Sequence, residues 1–143
     1  MTDKPVRSTP AILRLSVAFD LKQVPLVAQA AHEFLASHGC TERELGDCKL
    51  ALVEACNNAI EHARDSTKSP FVVEIMCAEK EMELRVIDNT PGFDWPEKAS
   101  LPKREREKGR GVFLMQSLMD YANYFRSRSG NILVLRKNRK GRV

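Results

Sequence analysis

A chain of 143 residues, 43% of them hydrophobic, is long enough to bury the core of one domain, and no apolar run in it approaches the ~18–20 residues of a membrane helix. The opening stretch MTDKPVRSTP has no apolar h-region, which argues against a secretory signal and makes a cytoplasmic protein without a membrane partner the expectation. The net charge of +4 is concentrated in KREREKGR (103–110) and RKNRKGRV (136–143), and no aromatic residues interleave with the basic tail, so a frayed, solvated terminus is expected rather than a nucleic-acid-binding arm.

In chain order, residues 1–10 hold two prolines and are expected to fray. ILRLSVAF (12–19) alternates apolar and polar residues and predicts a half-buried strand. LVAQAAHEFLASHG (26–39) predicts an amphipathic helix that Gly39 ends. Thr41 opens TERE, a capping box with Glu44 at its third position, and predicts a helix over 42–64. FVVEIMCAE (71–79) and EMELRVIDN (81–89) predict an antiparallel hairpin. Residues 90–111 hold three prolines and three glycines and predict a long functional loop. VFLMQSLMDYANYF (112–125) has helical spacing, and NILVLRK (131–137) predicts a closing strand.

Helices beside an antiparallel-rich hairpin imply an α+β fold, a two-layer sandwich with a mixed, mostly antiparallel sheet and its helices on one face. The expected organisation is a flexible N-terminus (1–11), one domain (12–137) and a basic tail (138–143). Cys40, Cys48, Cys56 and Cys77 form no CxxC pair, and Cys48 and Cys56, eight apart on one helix, cannot bridge each other. All four are expected to be reduced and mostly buried.

Three stretches carry chemistry. On the 42–64 helix, Leu45, Leu52, Cys56, Ala59 and Ala63 form an apolar stripe, with Asp47, Glu54, Asn58, Glu61 and His62 broadly opposite. A solvated face explains that pattern, yet Asn57 and Asn58 are poor helix formers in mid-helix. Glu54 and Asn58 also place hard oxygen donors one turn apart, suited to Mg²⁺ or to an activated hydroxyl. VIDNTPGFDW (86–95) brings Asp88 to a strand end before a Pro91–Gly92 turn: either an ordinary turn, or a carboxylate that accepts from an amino group beside a glycine allowing close approach. GRGVFLM (109–115) is either a simple turn or an anion cradle at a helix start, with Lys103, Arg104, Arg106, Lys108 and Arg110 adding positive charge.

EACNNAIEH, DNTPGF and GRGVFLMQSLMD, in this order, resemble the N, G1 and G2 boxes of the GHKL (Bergerat-fold) ATPase superfamily. Their wording is similar to that of RsbW-type anti-sigma factors, which are serine protein kinases. The resemblance spans roughly residues 12–137. It implies ATP and Mg²⁺ as cofactors, with Asn58 holding the metal. It implies Glu54 as general base toward a substrate serine, Asp88 as acceptor from the adenine amino group, and Gly92 as the point where adenine sits close. Gly109, Arg110 and Gly111 would belong to a lid hinge and phosphate cradle. His62 has no catalytic duty and reads as structural. Thr90 stands where the G1 box carries its first glycine, and with Pro91 it stiffens the turn. Asn131 stands where the family often has a threonine near adenine.

The function implied is an anti-sigma-type serine kinase, a homodimer by the resemblance, whose partners are a STAS-domain antagonist that it phosphorylates and a sigma factor. The alternative is a switch module of the same fold that binds nucleotide, or only a protein partner, without phosphoryl transfer. A detached sensor histidine kinase catalytic domain would need a phosphoacceptor helix for which 143 residues leave no room, and nucleic-acid binding through the tail ranks last.

Overall fold

The computed structural model describes residues 9–63, 69–96 and 110–140. Strand β1 (Ala11–Val17) leads through a short 3-10 turn into helix α1 (Val24–Ser37), and helix α2 (Glu42–Glu61) follows. Strands β2 (Phe71–Cys77) and β3 (Glu81–Asp88) come next, then helix α3 (Arg110–Leu118) and strands β4 (Tyr121–Ser127) and β5 (Gly130–Asn138). The strands form one sheet in the order β1-β2-β3-β5-β4. The antiparallel preference extends to every pairing among the described residues, so the mixed sheet expected has no parallel pair there.

The register puts Phe71, Val73, Ile75 and Cys77 of β2 on the same face as Met82, Leu84 and Val86 of β3 and Leu133 and Leu135 of β5. These side chains are buried in one core with Leu35 of α1, Cys48, Leu52 and Cys56 of α2, and Val112 and Met115 of α3, so the three helices share one face of the sheet. The other face is held by ion pairs: Arg14 to Glu74 at 2.7 Å, and Glu83 to both Arg85 at 2.7 Å and Arg136 at 2.6 Å. All four cysteines are reduced and buried, as expected. Among the described residues no helix is long and apolar enough to cross a membrane.

The helix signals are realised locally. Gly39 takes φ +80° after α1, a left-handed turn that suits a residue without a Cβ. The Thr41 hydroxyl accepts from the Glu44 N–H at 3.2 Å, and the Glu44 carboxylate accepts from the Thr41 N–H at 2.8 Å, closing the capping box. α2 ends at Glu61, with His62 as its C-cap, three residues before the expected end. Lys137 then joins the layers: its ammonium pairs with Asp47 of α2 at 2.9 Å and donates to the Leu118 carbonyl at 2.6 Å.

Two expectations need correction. Residues 112–125 are not one helix. α3 begins at Arg110 and stops at Leu118, and Tyr121–Ser127 form β4. Leu118, Ala122 and Phe125 fit helical spacing, but residues 121–127 also fit a strand, with Ala122, Tyr124 and Arg126 facing the helices and Tyr121, Asn123 and Phe125 away from them. Aromatic residues suit a pleated surface, and Asp120 fixes the switch. Its N–H donates to the Arg136 carbonyl at 2.9 Å, and its carboxylate accepts from the Asn138 N–H at 2.6 Å. The start of the basic tail is also not frayed. Arg139 donates to the carbonyls of Ala78 and His38, both at 2.8 Å, and the Lys140 N–H donates to Glu44 at 3.0 Å.

Glu44 thus serves the capping box and the tail together. Burial opposes its ionisation, but the hydrogen bonds from Thr41 and Lys140 prevail and hold its carboxyl below the usual range. A depressed folded value stabilises the protein above the ordinary carboxylate pKa and is lost as pH falls through the folded one. Glu44→Ala should therefore cost about 1–2 kcal/mol in urea unfolding at neutral pH, and the difference from wild type should shrink toward acid pH. Equal midpoints at neutral pH would remove Glu44 from this role.

Candidate functional site

The site lies where the middle of α2, the ends of β3 and β5, the start of α3 and the middle of β4 converge. On α2, the expected apolar stripe is buried: Leu45, Leu52, Cys56, Ala59 and Ala63 are each at most 7% exposed. Glu54, Asn58 and His62 are half-buried rather than a solvated face, because each meets a different neighbour.

Glu54 and Asn58 face α3. A Cβ on Gly111 would lie 2.7 Å from Glu54 Oε2 and 3.6 Å from both terminal atoms of Asn58. Only a glycine lets the first turn of α3 come this near. The Glu54 carboxylate therefore sits beside a helix N-terminus, where the free N–H groups favour negative charge. Burial pushes the Glu54 pKa up, the Glu61 charge adds to it, and Arg110 opposes both. The expected trio Glu54, Asn58 and Gly111 is thus assembled with Arg110 beside it, whereas Gly109 and most of the loop expected over 90–111 lie outside the described residues.

Asp88 closes the other end. It is 7% exposed and its Oδ1 accepts three hydrogen bonds: from the Thr90 N–H at 3.0 Å, the Thr90 hydroxyl at 2.7 Å and the Asn131 amide at 2.9 Å. The Asn131 amide also donates to the Thr90 carbonyl at 2.8 Å. Three donors on one oxygen satisfy a buried carboxylate and fix its plane. Thr90, which departs from the glycine of the G1 pattern, is therefore a working part of this turn, and Asn131 does reach the site.

Gly92 has φ +81°, a left-handed conformation that favours glycine. The atoms that would crowd a Cβ there belong to the protein itself: Tyr124 Oη and Arg126 Nε at 2.9 Å and Asn131 Nδ2 at 3.2 Å. Arg126 fastens the same turn by donating to the Pro91 carbonyl at 2.7 Å and to Asp94 at 3.1 Å.

One small pocket joins the two ends. Asn58, His62, Asp88, Thr90, Phe93 and Tyr124 line it over an apolar floor of Ala55, Ala59, Val86 and Leu133. Phe93 stacks on His62 at 4.4 Å and on Tyr124 at 4.5 Å between ring centroids. Burial, then the Asp88 charge, push the Tyr124 pKa up to about 12, so its hydroxyl stays protonated. The free space left is about 10 Å³, near that of one water. Sequence reasoning missed His62 as a lining residue, and it missed Phe93 and Tyr124. Tyr124 was hidden by its assignment to a helix, and Phe93 had no spacing partner in its loop.

The donor chemistry suits a magnesium nucleotide: Asn58 offers a hard amide oxygen, Asp88 a buried acceptor, and Gly111 a helix start free of any Cβ. Residues 17–137 match the family profile described as the histidine kinase-like ATPase domain. A serine-protein kinase RsbW of Bacillus velezensis is 31% identical over 113 residues, which are 72% of this chain and 70% of that protein. The RsbW of Bacillus pumilus is 33% identical over 57% of this chain, but the match spans only 58% of that protein's length. The solved structure of the RsbU and RsbW domains of a Mycobacterium tuberculosis protein shares the fold, with a TM-score of 0.68 at 20% identity over 92% of this chain and 34% of that one.

The Asp88 arrangement makes a stability prediction that needs no ligand. Asn131→Ala removes one donor from a buried carboxylate and should cost about 1–3 kcal/mol in chemical unfolding. Asn131→Asp sets a second carboxylate against Asp88, so it should cost more at neutral pH and recover part of the loss as pH falls and one acid takes a proton. Both variants unfolding with the wild-type midpoint would refute this account.

Proposed function

The chain belongs to the histidine kinase-like ATPase domain family and is RsbW-type within it, and from that premise we propose that it is an ATP-dependent protein-serine kinase of the anti-sigma-factor class. Its substrate would be a serine of a STAS-domain antagonist, its second partner a sigma factor, and its place the cytoplasm, acting as a homodimer. The observation that carries the reading is that Asn58 belongs to two groupings at once: it faces Gly111 beside Glu54, and it lines the pocket that contains Asp88.

Magnesium ATP supplies the phosphoryl group when bound. Asn58 would hold the metal through its amide oxygen, and Asp88 would accept from the adenine amino group through a carboxylate already fixed by Thr90 and Asn131. Arg110 and Gly111, with Gly109 preceding them in sequence, would present positive charge and free N–H groups to phosphate. Gly92 acts through the turn, whose tight closure it permits. Glu54 would take the proton of the incoming serine hydroxyl, and its raised pKa makes it a better base than an ordinary exposed carboxylate.

The raised Glu54 value also fixes a sign. A carboxyl whose folded pKa is raised adds stability below its unfolded pKa and loses it as pH rises through the folded one. A neutral isostere keeps what the charged form loses. Glu54→Gln should thus be at least as stable as wild type at neutral pH, and should bind Mg-ATP nearly as well. Phosphoryl transfer to a STAS-domain partner should fall by roughly 10²–10⁴-fold. The wild-type pH–rate profile should carry an acid limb above the ordinary carboxylate range. Asn58→Ala should abolish Mg-dependent binding, and Asp88→Asn should weaken adenine nucleotides more than guanine nucleotides. A Glu54→Gln protein with wild-type transfer rates would remove the base. Nucleotide binding without any transfer by wild type would instead assign a nucleotide-responsive switch.

A further inference from the structure

The aromatic rings at the pocket raise a question that the nucleotide reading leaves open. A flat slot runs between His62, at the C-terminus of α2, and Tyr124 of β4, and a Phe93 ring already fills it. Phe93 is nearly parallel to both neighbours, 18° from His62 and 24° from Tyr124, with centroids 4.4 and 4.5 Å away. One ring face has no room for two stacked partners at such separations, so His62 and Tyr124 lie on opposite sides. The gap between them is one aromatic ring thick, which is also the thickness of a purine. Asp88, the carboxylate suited to an exocyclic amino group, lines the same pocket.

Phe93 is held in the slot from its own turn. Arg126 clamps the Pro91 carbonyl and Asp94 on either side of it, and Gly92 permits the close approach of Tyr124 and Arg126 to that turn. Trp95 stands at the edge, 6.1 Å from both the Phe93 and the Tyr124 ring. With about 10 Å³ of free space left, a purine and the Phe93 ring cannot share the slot.

We propose that Phe93 is an intramolecular occupant of the purine slot, which a nucleotide base must displace to bind, so that the residue at position 93 sets nucleotide affinity. The inference rests on the nucleotide reading of this site. It adds that the chain competes with its own ligand. Apparent affinity is then the intrinsic affinity reduced by the fraction of molecules with the slot open. Two near-parallel stacks plus the burial of a phenyl ring favour the closed form by roughly ten- to hundredfold.

Calorimetric titration of wild type, Phe93→Ala and Phe93→Leu with Mg-ATP tests the proposal, with the full chain in each case. Phe93→Leu keeps apolar volume but removes the ring, so it guards against a loss of folding in the alanine variant. Both variants should bind Mg-ATP about ten- to hundredfold more tightly than wild type. In wild type, saturating Mg-ATP should move the His62 ring-proton resonances and change the fluorescence of Trp95, the only tryptophan of the chain, as the stack opens. In the Phe93 variants those resonances should start displaced. Equal affinity in all three proteins would overturn the gate and leave nucleotide binding intact. Weaker binding by both variants would make Phe93 a wall of the site rather than its occupant. No binding by any of the three would overturn the nucleotide reading, and the gate with it.

Discussion

A buried carboxylate has to be satisfied, and much of this site follows from how Asp88 meets that demand. Left without partners it would cost more than a small domain has to spare. Thr90 gives it two donors and Asn131 a third, all to one oxygen. Those bonds tie the exit of β3 to the entry of β5, where Asp88 and Asn131 are opposite one another in register. They also turn the chain after Asp88 back across the sheet. The conformations of Thr90, Gly92 and Phe93, and so the shape of the pocket, follow from the hydrogen bonds that one side chain accepts.

Helix α2 explains the other half. Glu54, Asn58 and His62 stand at i, i+4 and i+8, and such a line on a helix looks like a polar stripe. The stripe is divided among three neighbours. Glu54 meets the start of α3, Asn58 bridges α3 and the pocket, and His62 stacks on Phe93. An acid, an amide and an imidazole share one line because three different chemistries converge on one helix face.

Much of this was legible in the sequence, for definite reasons. Thr41 and Glu44 announce a capping box whose geometry is purely local. The alternation in β1, β2 and β3 follows from one face being buried. Asn58 stands out as a poor helix former in mid-helix, Glu54 as an acid one turn before it, Asp88 as a carboxylate at a strand end and Gly111 as a glycine at a helix start, and all four lie at the site. What escaped depends on partners distant in sequence. Whether Tyr121–Ser127 is helix or strand is decided by β5, which offers it a free edge, and by Asp120, whose carboxylate binds Asn138. The role of Thr90 needs Asp88 and Asn131 in place. Phe93 and Tyr124 become neighbours only after β4 is recognised as a strand.

The order β1-β2-β3-β5-β4 places the last strand of the described residues inside the sheet rather than at its rim. As the chain leaves the ribosome, β3 therefore waits with an open hydrogen-bonding edge until the β4–β5 hairpin brings β5 against it. Residue 131 must emerge before Asp88, 43 positions earlier, gains its third donor. A nascent chain has α2 and the hairpin long before it has a finished pocket, so competence for any ligand at this site arrives late and all at once. The same delay leaves the β3 edge unpaired for the whole interval, which makes synthesis a moment when this protein is open to mispairing with another chain.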